Sequence, residues 1–583
     1  MSRLPLLAGL STVVLALPPA SRAEDVNWDC IDGDVPHWEW LLDTVPEGEV
    51  LYLDGYLNAD RAPRPELVAQ VFKAAELWNV YGGSRVQLRY AGETDAYTRG
   101  ETANNCRNEV VFYDGSFGLS RAGVLQPYYD GTRMVEGDIY LFSQALNGVP
   151  YNVDPVEILW VAAHEFGHML GLAHTDEPGV MHTDDNWPMT AVWPMLGWKD
   201  IECMREDLGY GVAPRTVDVA FTTNQGATWY PFHTDGLEST SYAPAMAAHP
   251  DPKAWDEAFL ASWTDARGRL VTRTGDGFVF PDRTEVVHDC PTCTSPFPPA
   301  VTWAQLSPTY GRWVMSWVSA VDLHVYVMTS PDGVIWSMTQ ELESPYDLSH
   351  FCGPTAVAYS TTGSTVLVGA VSCWNDNFGV DGSAFGLNRG QKLVLWGGSN
   401  PSDLEILPSS EESWFTDRVW EIGLDCSPGE ERCTLAYRDF EHPDELYYRD
   451  LYQSGSNWLP SSAQGAVDDA PAGVWGPRVA YTTYADLPSY PNLFTVGHQE
   501  SLLVYSSEPG RGVPQACHRE SYPWIPDWSC EVLPLDGPVD GHLTVASSDY
   551  RNAHFVWSTS RPAGTEGGRY QECAASQGIF TKP

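Results

Sequence analysis

The sequence predicts a multidomain fold: an α+β (or α/β) catalytic domain followed by an all-β six-bladed propeller. Two observations indicate this fold class. Three histidines and a glutamate cluster at the end of a predicted helix in the first third of the 583-residue chain. After residue 211, helical periodicity nearly disappears, and short alternating strand patterns recur. We therefore expect a signal peptide at 1–23, the catalytic domain at 24–212 and the propeller at 213–583.

The first residues have the pattern of a secretory signal peptide. Arg3 gives a positive start, residues 4–17 are apolar, and residues 21–23 (Ser-Arg-Ala) suit cleavage after Ala23. The apolar run is short for a membrane span. We expect a secreted, extracellular protein with no membrane anchor.

The formal net charge is −44, from 33 basic and 77 acidic residues. Nucleic acids and anionic membranes are bound by basic surfaces, so this balance argues against both as partners. The acidic surplus fits either solubility outside the cell or calcium binding by carboxylate-rich loops. No EF-hand or nonapeptide calcium repeat is present to favour the second interpretation.

Residues 164–174 read HEFGHMLGLAH and fit the pattern HExxHxxGxxH. On a helix, His164 and His168 lie on one face and can bind one ion. Gly171 allows the chain to leave the helix in a left-handed conformation, which brings His174 to the third ligand position. Three neutral protein ligands leave the fourth position of Zn²⁺ open, as in catalytic rather than structural sites.

Glu165 follows the first histidine and is offset from the metal-binding face of the helix. It can reach a water on the metal, take its proton and pass it to a leaving amine. The helix has clear start signals, with Asp154 as N-cap, Pro155 at the first position and Glu157 completing a capping box. The motif thus predicts zinc-dependent hydrolysis with Glu165 as the general base.

This motif resembles the zinc signature of the metzincin metallopeptidases, and the surrounding region is most similar to their matrixin-like branch. The resemblance implies protein or peptide substrates, and it also implies structural Ca²⁺. It further implies a methionine turn beneath the metal, for which Met181 is the candidate, whereas Met189 and Met195 lie further along the chain. Some branches have a tyrosine ligand two residues after this methionine. Thr183 stands there, so no tyrosine ligand is expected.

The resemblance extends over roughly residues 45–212. Its predicted elements are an amphipathic helix at 66–80, strands at 84–90, 108–113 and 135–141, and a closing helix at 199–211. The strand at 135–141, around Ile139, resembles the family's strand just before the active-site helix. We expect it to pair with substrate backbone as an edge strand.

The second half of the chain contains about six units of roughly 60 residues, each with three or four strand patterns. The first strands are expected at 243–247, 299–303, 353–359, 418–420, 476–481 and 541–546. The second strands are expected at 259–263, 313–317, 366–371, 433–437, 493–496 and 553–557. Third strands are expected at 323–328, 392–396, 445–449 and 502–505. One unit cannot bury both faces of its sheet, whereas six around an axis can, and closure removes exposed edges.

Two turns resemble the Asp-box of sialidase-like propellers. Residues 222–229 carry Asn224 where aspartate is usual, and residues 330–336 (SPDGVIW) form a shortened version. These boxes stabilise turns, so they indicate architecture and not sialidase chemistry. A propeller face can present a binding site, so we expect this domain to bind a protein or glycan target.

The 12 cysteines suit an oxidising compartment. Short spacings predict four local disulfides: Cys352 with Cys373, Cys426 with Cys433, Cys517 with Cys530, and Cys290 with Cys293. The pairing of the remaining four cysteines stays open: Cys30, Cys106, Cys203 and Cys573.

The predicted function is that of a secreted zinc metalloendopeptidase with a propeller that binds its target. One alternative is a catalytically decayed adhesion or binding protein. The intact motif argues against it, because decayed sites usually lose the glutamate or a ligand. The other alternative is a propeller-led glycan-binding protein or glycosidase. A sialidase would need an arginine cluster, and no spacing in the sequence indicates one.

Overall fold

The computed structural model describes thirty segments of the chain. They are residues 50–82, 84–102, 105–114, 122–130, 133–143, 155–175, 179–181, 196, 198–207, 215–222, 228–239, 244–250, 257–265, 268–307, 309–344, 350–351, 353–375, 389–407, 419–427, 431–439, 445–455, 457–461, 465–467, 477–484, 498–507, 513–520, 528–535, 543–548, 553–559 and 564–566. The predicted signal peptide, Asp154, Asn224, Met189 and Met195 lie outside these segments.

The first domain is a sheet with helices packed against it. Its strands are β1 (Val50–Leu57), β2 (Val86–Glu93), β3 (Asn108–Tyr113), β4 (Gly123–Asp130) and β5 (Arg133–Phe142). Its helices are α1 (Glu66–Leu77), α2 (Arg99–Thr102), α3 (Pro155–Met169) and α4 (Trp198–Asp207), with a 3₁₀ turn at Ala59–Arg61 and a π turn at Trp78–Gly82. The predicted helices and strands of this domain are all present, with ends shifted by a few residues. None of the described helices is long and apolar enough to cross a membrane.

The amphipathic pattern of α1 explains how this domain is layered. Its apolar residues Leu67, Val71, Ala74 and Leu77 are buried, and α1 packs against α3. Because both helices also share one core with β1, the metal-binding helix is held between α1 and the sheet. Burying such an apolar stripe stabilises a helix more than its intrinsic propensity does.

The strand order is β2-β1-β3-β5-β4, with β4 antiparallel to β5 and the other pairs parallel. Ile139 of β5 is paired with Val110 on one side and with Leu125 on the other. The expectation that residues 135–141 form the substrate-binding edge is therefore wrong. Among the described strands, the one at that end of the sheet is β4, which was not predicted from the sequence.

The second domain consists of six sheets, which we number as blades 1 to 6. Blade 1 contains β8 (Ala245–Ala248), β9 (Phe259–Thr264), β10 (Leu270–Gly275) and β11 (Val286–Val287), and blade 2 contains β12 (Ala300–Ser307), β13 (Tyr310–Val318), β14 (Val325–Ser330) and β15 (Ser337–Leu342). Blade 3 contains β16 (His350–Phe351), β17 (Ala356–Ser360), β18 (Thr365–Asn375), β19 (Arg389–Gly398) and β20 (Glu405–Ile406). Blade 4 contains β21 (Val419–Cys426), β22 (Arg432–Asp439), β23 (Leu446–Ser454), β24 (Asn457–Pro460) and β25 (Gly465–Ala466). Blade 5 contains β26 (Arg478–Tyr484), β27 (His498–Ser507), β28 (Val513–Glu520) and β29 (Ser529–Val532).

Blade 6 combines strands from the two ends of this domain. It contains β30 (Thr544–Ser548) and β31 (Ala553–Thr559), followed in the sheet by β6 (Arg215–Thr222) and β7 (Tyr230–Ser239). The innermost strands β8, β12, β17, β21, β26 and β30 contact one another in this order, and β30 returns to β8. The ring is therefore closed, and the predicted six-bladed propeller is confirmed.

The strand predictions differ from the structure in blade 5. The second strand is β27, which pairs directly with β26, whereas residues 502–505 within it were expected to form the third strand. Residues 493–496, expected as the second strand, lie outside the described residues. The error arose because two apolar runs precede the true third strand, β28, whose own pattern is more polar.

The turn between β14 and β15 has the expected Asp-box geometry. The Asp332 carboxylate accepts hydrogen bonds from the backbone N–H groups of Val334 (2.9 Å) and Ile335 (2.8 Å). Gly333 has a φ of +77°. The indole N–H of Trp336 donates to the carbonyl oxygen of Gly333 at 2.9 Å. The turn thus satisfies its own polar groups and anchors a tryptophan, as a fold-stabilising element should.

Blade 1 has a second Asp-box that the sequence analysis missed. Asp276 accepts hydrogen bonds from the N–H groups of Phe278 (2.9 Å) and Val279 (2.8 Å), and Gly277 has a φ of +97°. A phenylalanine, Phe280, takes the place of the tryptophan, which explains why the pattern was not recognised.

Three of the predicted disulfides are present in the described residues: Cys290–Cys293, Cys426–Cys433 and Cys517–Cys530. Cys106 and Cys203 are each disulfide-bonded as well. Cys352 lies outside the described residues, so its predicted pairing with Cys373 stays a prediction.

The two domains share a buried interface. The rings of Tyr81, after α1, and Phe297, before β12, meet edge to face with centroids 5.4 Å apart. Lys73 of α1 is buried, and its charge interacts with Glu421 and Arg438 of blade 4, which are buried too. Burial lowers the pKa of Lys73 from 10.5 to about 7, with Arg438 also lowering it and Glu421 opposing the shift.

Three buried carboxylates lie on one face of the first sheet. Glu109 accepts hydrogen bonds from Thr94 (2.6 Å) and Asn105 (2.9 Å), and Glu136 accepts one from the backbone N–H of Cys106. One oxygen of Asp138 accepts the backbone N–H of Glu109 at 3.1 Å.

Burial, followed by the charge of Glu136, raises the pKa of Asp138 from 3.8 to about 8. The folded protein therefore binds this proton more tightly than the unfolded chain does. The stabilisation is complete below about pH 4 and is lost as pH rises towards 8, with a slope of at most about 1.4 kcal/mol per pH unit.

Asp138→Asn should reduce the fall in apparent Tm between pH 5 and pH 8. Asp60→Asn, at an exposed position, should leave this fall in Tm unchanged. An equal pH dependence of Tm in both variants would contradict the raised pKa of Asp138.

Candidate metal centre

The three predicted histidine ligands converge on one point. The Nε2 atoms of His164 and His168 are 3.1 Å apart, those of His168 and His174 are 3.0 Å apart, and those of His164 and His174 are 3.1 Å apart. Typical Zn–N distances are about 2.0–2.1 Å. A single ion can therefore lie about 2 Å from all three nitrogens, over the centre of the triangle that they form and slightly out of its plane.

The hydrogen bonds of the other ring nitrogens fix two of the tautomers. His164 Nδ1 lies 2.7 Å from the Val180 carbonyl oxygen, and His168 Nδ1 lies 2.9 Å from that of Leu172. A carbonyl only accepts, so each Nδ1 carries a proton, and in the neutral form of each ring Nε2 presents a lone pair. Two lone pairs 3.1 Å apart repel each other unless a cation lies between them. The donor set thus fits Zn²⁺, with the carbonyl partners orienting the ligands.

The end of α3 explains how the third histidine reaches the site. Gly171 has a φ of +98°. Its N–H donates to the His168 carbonyl (2.9 Å), and the next N–H, of Leu172, donates to the Gly167 carbonyl (3.0 Å). This pair of bonds is a Schellman motif, which ends a helix and reverses the chain. The left-handed glycine predicted from the sequence is therefore present, and it places His174 beside the two helical ligands.

Glu165 is almost fully buried, and its side chain lies beside Gly123, the first residue of β4. A Cβ atom on residue 123 would be 2.6 Å from Val161 and 3.1 Å from the Glu165 carboxylate. Glycine therefore allows the end strand of the sheet to approach the proposed base closely. No pattern in the sequence indicated this role for Gly123.

Met181, the candidate for the methionine turn, packs against Gly167 of the helix that carries His164 and His168. Its side chain is fully buried, and its carbonyl accepts the N–H of Thr175 at 2.8 Å, which ties the turn to the segment of the third histidine. A Cβ atom on Gly167 would be 2.2 Å from the Met181 sulfur and 2.8 Å from the Trp78 ring. The floor of the site is thus packed tightly enough that position 167 requires glycine.

Trp78 is a supporting residue for which the sequence predicts only a place on the apolar face of its helix. Its indole N–H donates to the carbonyl of Ala163 at 2.8 Å, in the residue just before the first histidine. The bond and the ring contact with Gly167 fix α3 relative to the end of α1. Its position on the predicted apolar face was the one signal in the sequence.

Asp200 of α4 is a second supporting residue, and no pattern in the sequence indicates it. Its buried carboxylate accepts the backbone N–H groups of Val180 (2.7 Å) and Met181 (3.3 Å). The Val180 carbonyl in turn holds His164. Asp200 therefore positions a ligand indirectly, through the methionine turn.

Asp200→Ala should leave two buried N–H groups without their acceptor and loosen the carbonyl that orients His164. Loss of such outer partners typically lowers metal affinity about 10- to 100-fold. We expect this decrease in a zinc competition titration with a chelator. Glu202→Ala is the matched control on the same helix, since Glu202 makes only a partly exposed ion pair with Lys199. Equal affinity in both variants would exclude a positioning role.

In the described segments, only these three histidines form a group of three or more His, Cys, Asp or Glu residues whose ligating atoms lie within 4.8 Å of one another. The expected structural Ca²⁺ has no such group there and stays a prediction.

Comparison with known proteins supports the assignment of the first domain. Residues 57–204 match the peptidase M10 family model, described as matrixin. The chain therefore carries a matrixin-type, metzincin-like domain followed by a β-propeller. A comparison with curated proteins gives no match.

Solved structures similar to this chain are distant. The six-bladed fungal lectin from Aleuria aurantia matches at 13% identity over 53% of this chain and 84% of that chain, with a TM-score of 0.30. AofleA from Arthrobotrys oligospora matches at 9% identity over 55% of this chain and 80% of that chain, with a TM-score of 0.35. An endo-arabinase from Bacteroides thetaiotaomicron matches at 13% identity over 46% of this chain and 93% of that chain, with a TM-score of 0.30. The strand pairing defines the propeller, and no function of this chain follows from these likenesses.

Proposed function

We propose that this protein is a secreted zinc metalloendopeptidase whose propeller binds the target. The convergence of three imidazole nitrogens, two of which present lone pairs when their rings are neutral, carries the proposal. The matrixin match over the same residues supports it. An intact donor set beside a buried glutamate favours this function over a decayed binding protein.

His164, His168 and His174 would hold the ion. When bound, Zn²⁺ supplies Lewis acidity, which lowers the pKa of a water and polarises a peptide carbonyl. Glu165 then accepts the proton of the attacking water and donates it to the amine that leaves. Gly123 keeps β4 close to this carboxylate, and β4 has no further strand neighbour among the described strands. An extended substrate can therefore pair with β4 and place its carbonyl near Glu165.

The proposal includes secretion and a targeting role for the propeller. The signal-like residues 1–23 and the three described disulfides support an exported protein. The buried interface at Lys73 and Tyr81 holds the two domains together, so a target on the propeller would be presented to the metal site in one orientation.

Metal removal tests the proposed activity. The purified protein should contain about one equivalent of zinc, because the described residues offer one set of three ligands. Dialysis against a chelator should abolish cleavage of casein, and added Zn²⁺ should restore it. Protein that contains no transition metal and gains no peptidase activity when supplied with one would refute the proposal.

A further inference from the structure

The last described strand of the chain lies in the sheet of the first domain and not in the propeller. This strand, β32 (Gly564–Glu566), follows the final blade strand β31 and pairs in parallel with the beginning of β1. The register joins Val50 to Gly564, Leu51 to Thr565 and Tyr52 to Glu566.

The pairing fills a gap that the first domain leaves in its own sheet. On one side, β1 is paired with β2 from Leu51 to Leu57. On the other side, β3 covers only the second half of β1, from Gly55 to Leu57. Among the described strands, only β32 pairs with residues 50–52 on that side, where Val50 and Leu51 are buried. Unpaired backbone groups in buried positions are strongly destabilising.

The first half of β1 contributes to the core that supports the metal centre. Leu51 and Leu53 belong to the same buried cluster as α1 and α3, including Trp78 and Met181. Disorder at the start of β1 would therefore loosen the packing around the zinc-binding helix.

We propose that the peptidase domain is discontinuous and that its metal centre becomes stable only when residues 564–566 have joined β1. The activity part of this inference depends on the function proposed above, whereas the structural part does not.

The proposal has a kinetic consequence. Val50 and Gly564 are 514 positions apart (564 − 50). At a synthesis rate of about 5–20 residues per second, the strand that completes the sheet appears roughly 25–100 s after β1. The long separation also makes this contact slow to form. The peptidase would thus stay incomplete while the propeller is being made, which limits premature proteolysis.

Proline substitutions in the full-length chain test the strand. In a parallel pair of strands, every second residue directs its backbone N–H group to a given neighbouring strand. Proline has no backbone N–H group and so removes this hydrogen bond. Thr565→Pro and the double variant Gly564→Pro/Glu566→Pro together cover both sets of N–H groups. Thr565→Val is the matched control, because it keeps the N–H group and a β-branched side chain. Hydrogen exchange at residues 50–53 and cleavage of a short peptide are measured for each protein.

We expect at least one proline variant to exchange residues 50–53 more than tenfold faster and to lose at least tenfold in peptidase activity. Exchange in blade 2 should be unchanged, and a synthetic peptide of residues 560–570 should partly restore protection. Thr565→Val should behave as the unaltered protein. Unchanged exchange in both proline variants would overturn the proposal. If the unaltered protein cleaves no peptide, the exchange data still decide on the strand, and only the peptidase assignment fails.

Discussion

Glu165→Gln is expected to abolish peptide hydrolysis while leaving zinc bound. The amide has nearly the same shape as the carboxylate, but it cannot accept the proton of the attacking water. Loss of a general base typically reduces the rate about 10²- to 10⁴-fold. The metal ligands His164, His168 and His174 are untouched, so the zinc content should stay at about one equivalent per chain. The measurements are kcat on a quenched peptide and metal content by mass spectrometry.

The matched control for this prediction is Glu341→Gln. Glu341 is a partly exposed residue of blade 2 that pairs with His324 at 2.8 Å, away from the histidine triad. The control should retain full activity. A Glu165→Gln protein that cleaves at the rate of the control would remove Glu165 from the mechanism, and one that loses its zinc would assign the residue a structural role.

Glu421→Gln should destabilise the whole protein strongly. Glu421 is fully buried at the domain interface, where its carboxylate acts on Lys73 and Arg478. Removing one partner of a buried charge group leaves uncompensated charge and typically costs about 3–5 kcal/mol. That is a large part of the total stability of most domains, about 5–15 kcal/mol. We expect a clear fall in the apparent Tm and separation of the domains under milder denaturation.

The pH dependence of this effect follows from Lys73, whose pKa burial lowers to about 7. Below this pH Lys73 is charged and depends more strongly on the charge of Glu421. The decrease in the apparent Tm of Glu421→Gln should therefore be larger at pH 6 than at pH 8.5. Glu341→Gln again serves as control, because an exposed pair contributes only about 0–1 kcal/mol. Similar Tm changes in the two variants would show that the interface carries no buried charge coupling.

The sequence was most informative where the relevant residues are close together in the chain. The metal ligands lie within eleven residues, and helical spacing with a left-handed Gly171 predicts their arrangement. Blades 1 to 5 were predictable as repeats for the same reason, since each is built from strands that are neighbours in the sequence, whereas blade 6 joins strands from both ends of the domain.

The features that were missed depend on contacts between distant segments. Asp200 acts through backbone N–H groups of Val180 and Met181, which leave no residue pattern. The interior position of β5 required knowing that β4 lies beside it, and the pairing of β32 with β1 involves only three residues.

Blade 6 has a consequence for how this chain can change in length. Its inner strands, β30 and β31, come more than 300 positions after its outer strands, β6 and β7, since Thr544 and Tyr230 are 314 positions apart (544 − 230). Removal of either terminal portion of the propeller would therefore split one sheet and open the circle. Duplication or loss of a whole unit is tolerable only at an internal junction, between blades whose strands are contiguous in sequence. A circularly permuted domain that starts just before β8 would have six contiguous blades and no such constraint.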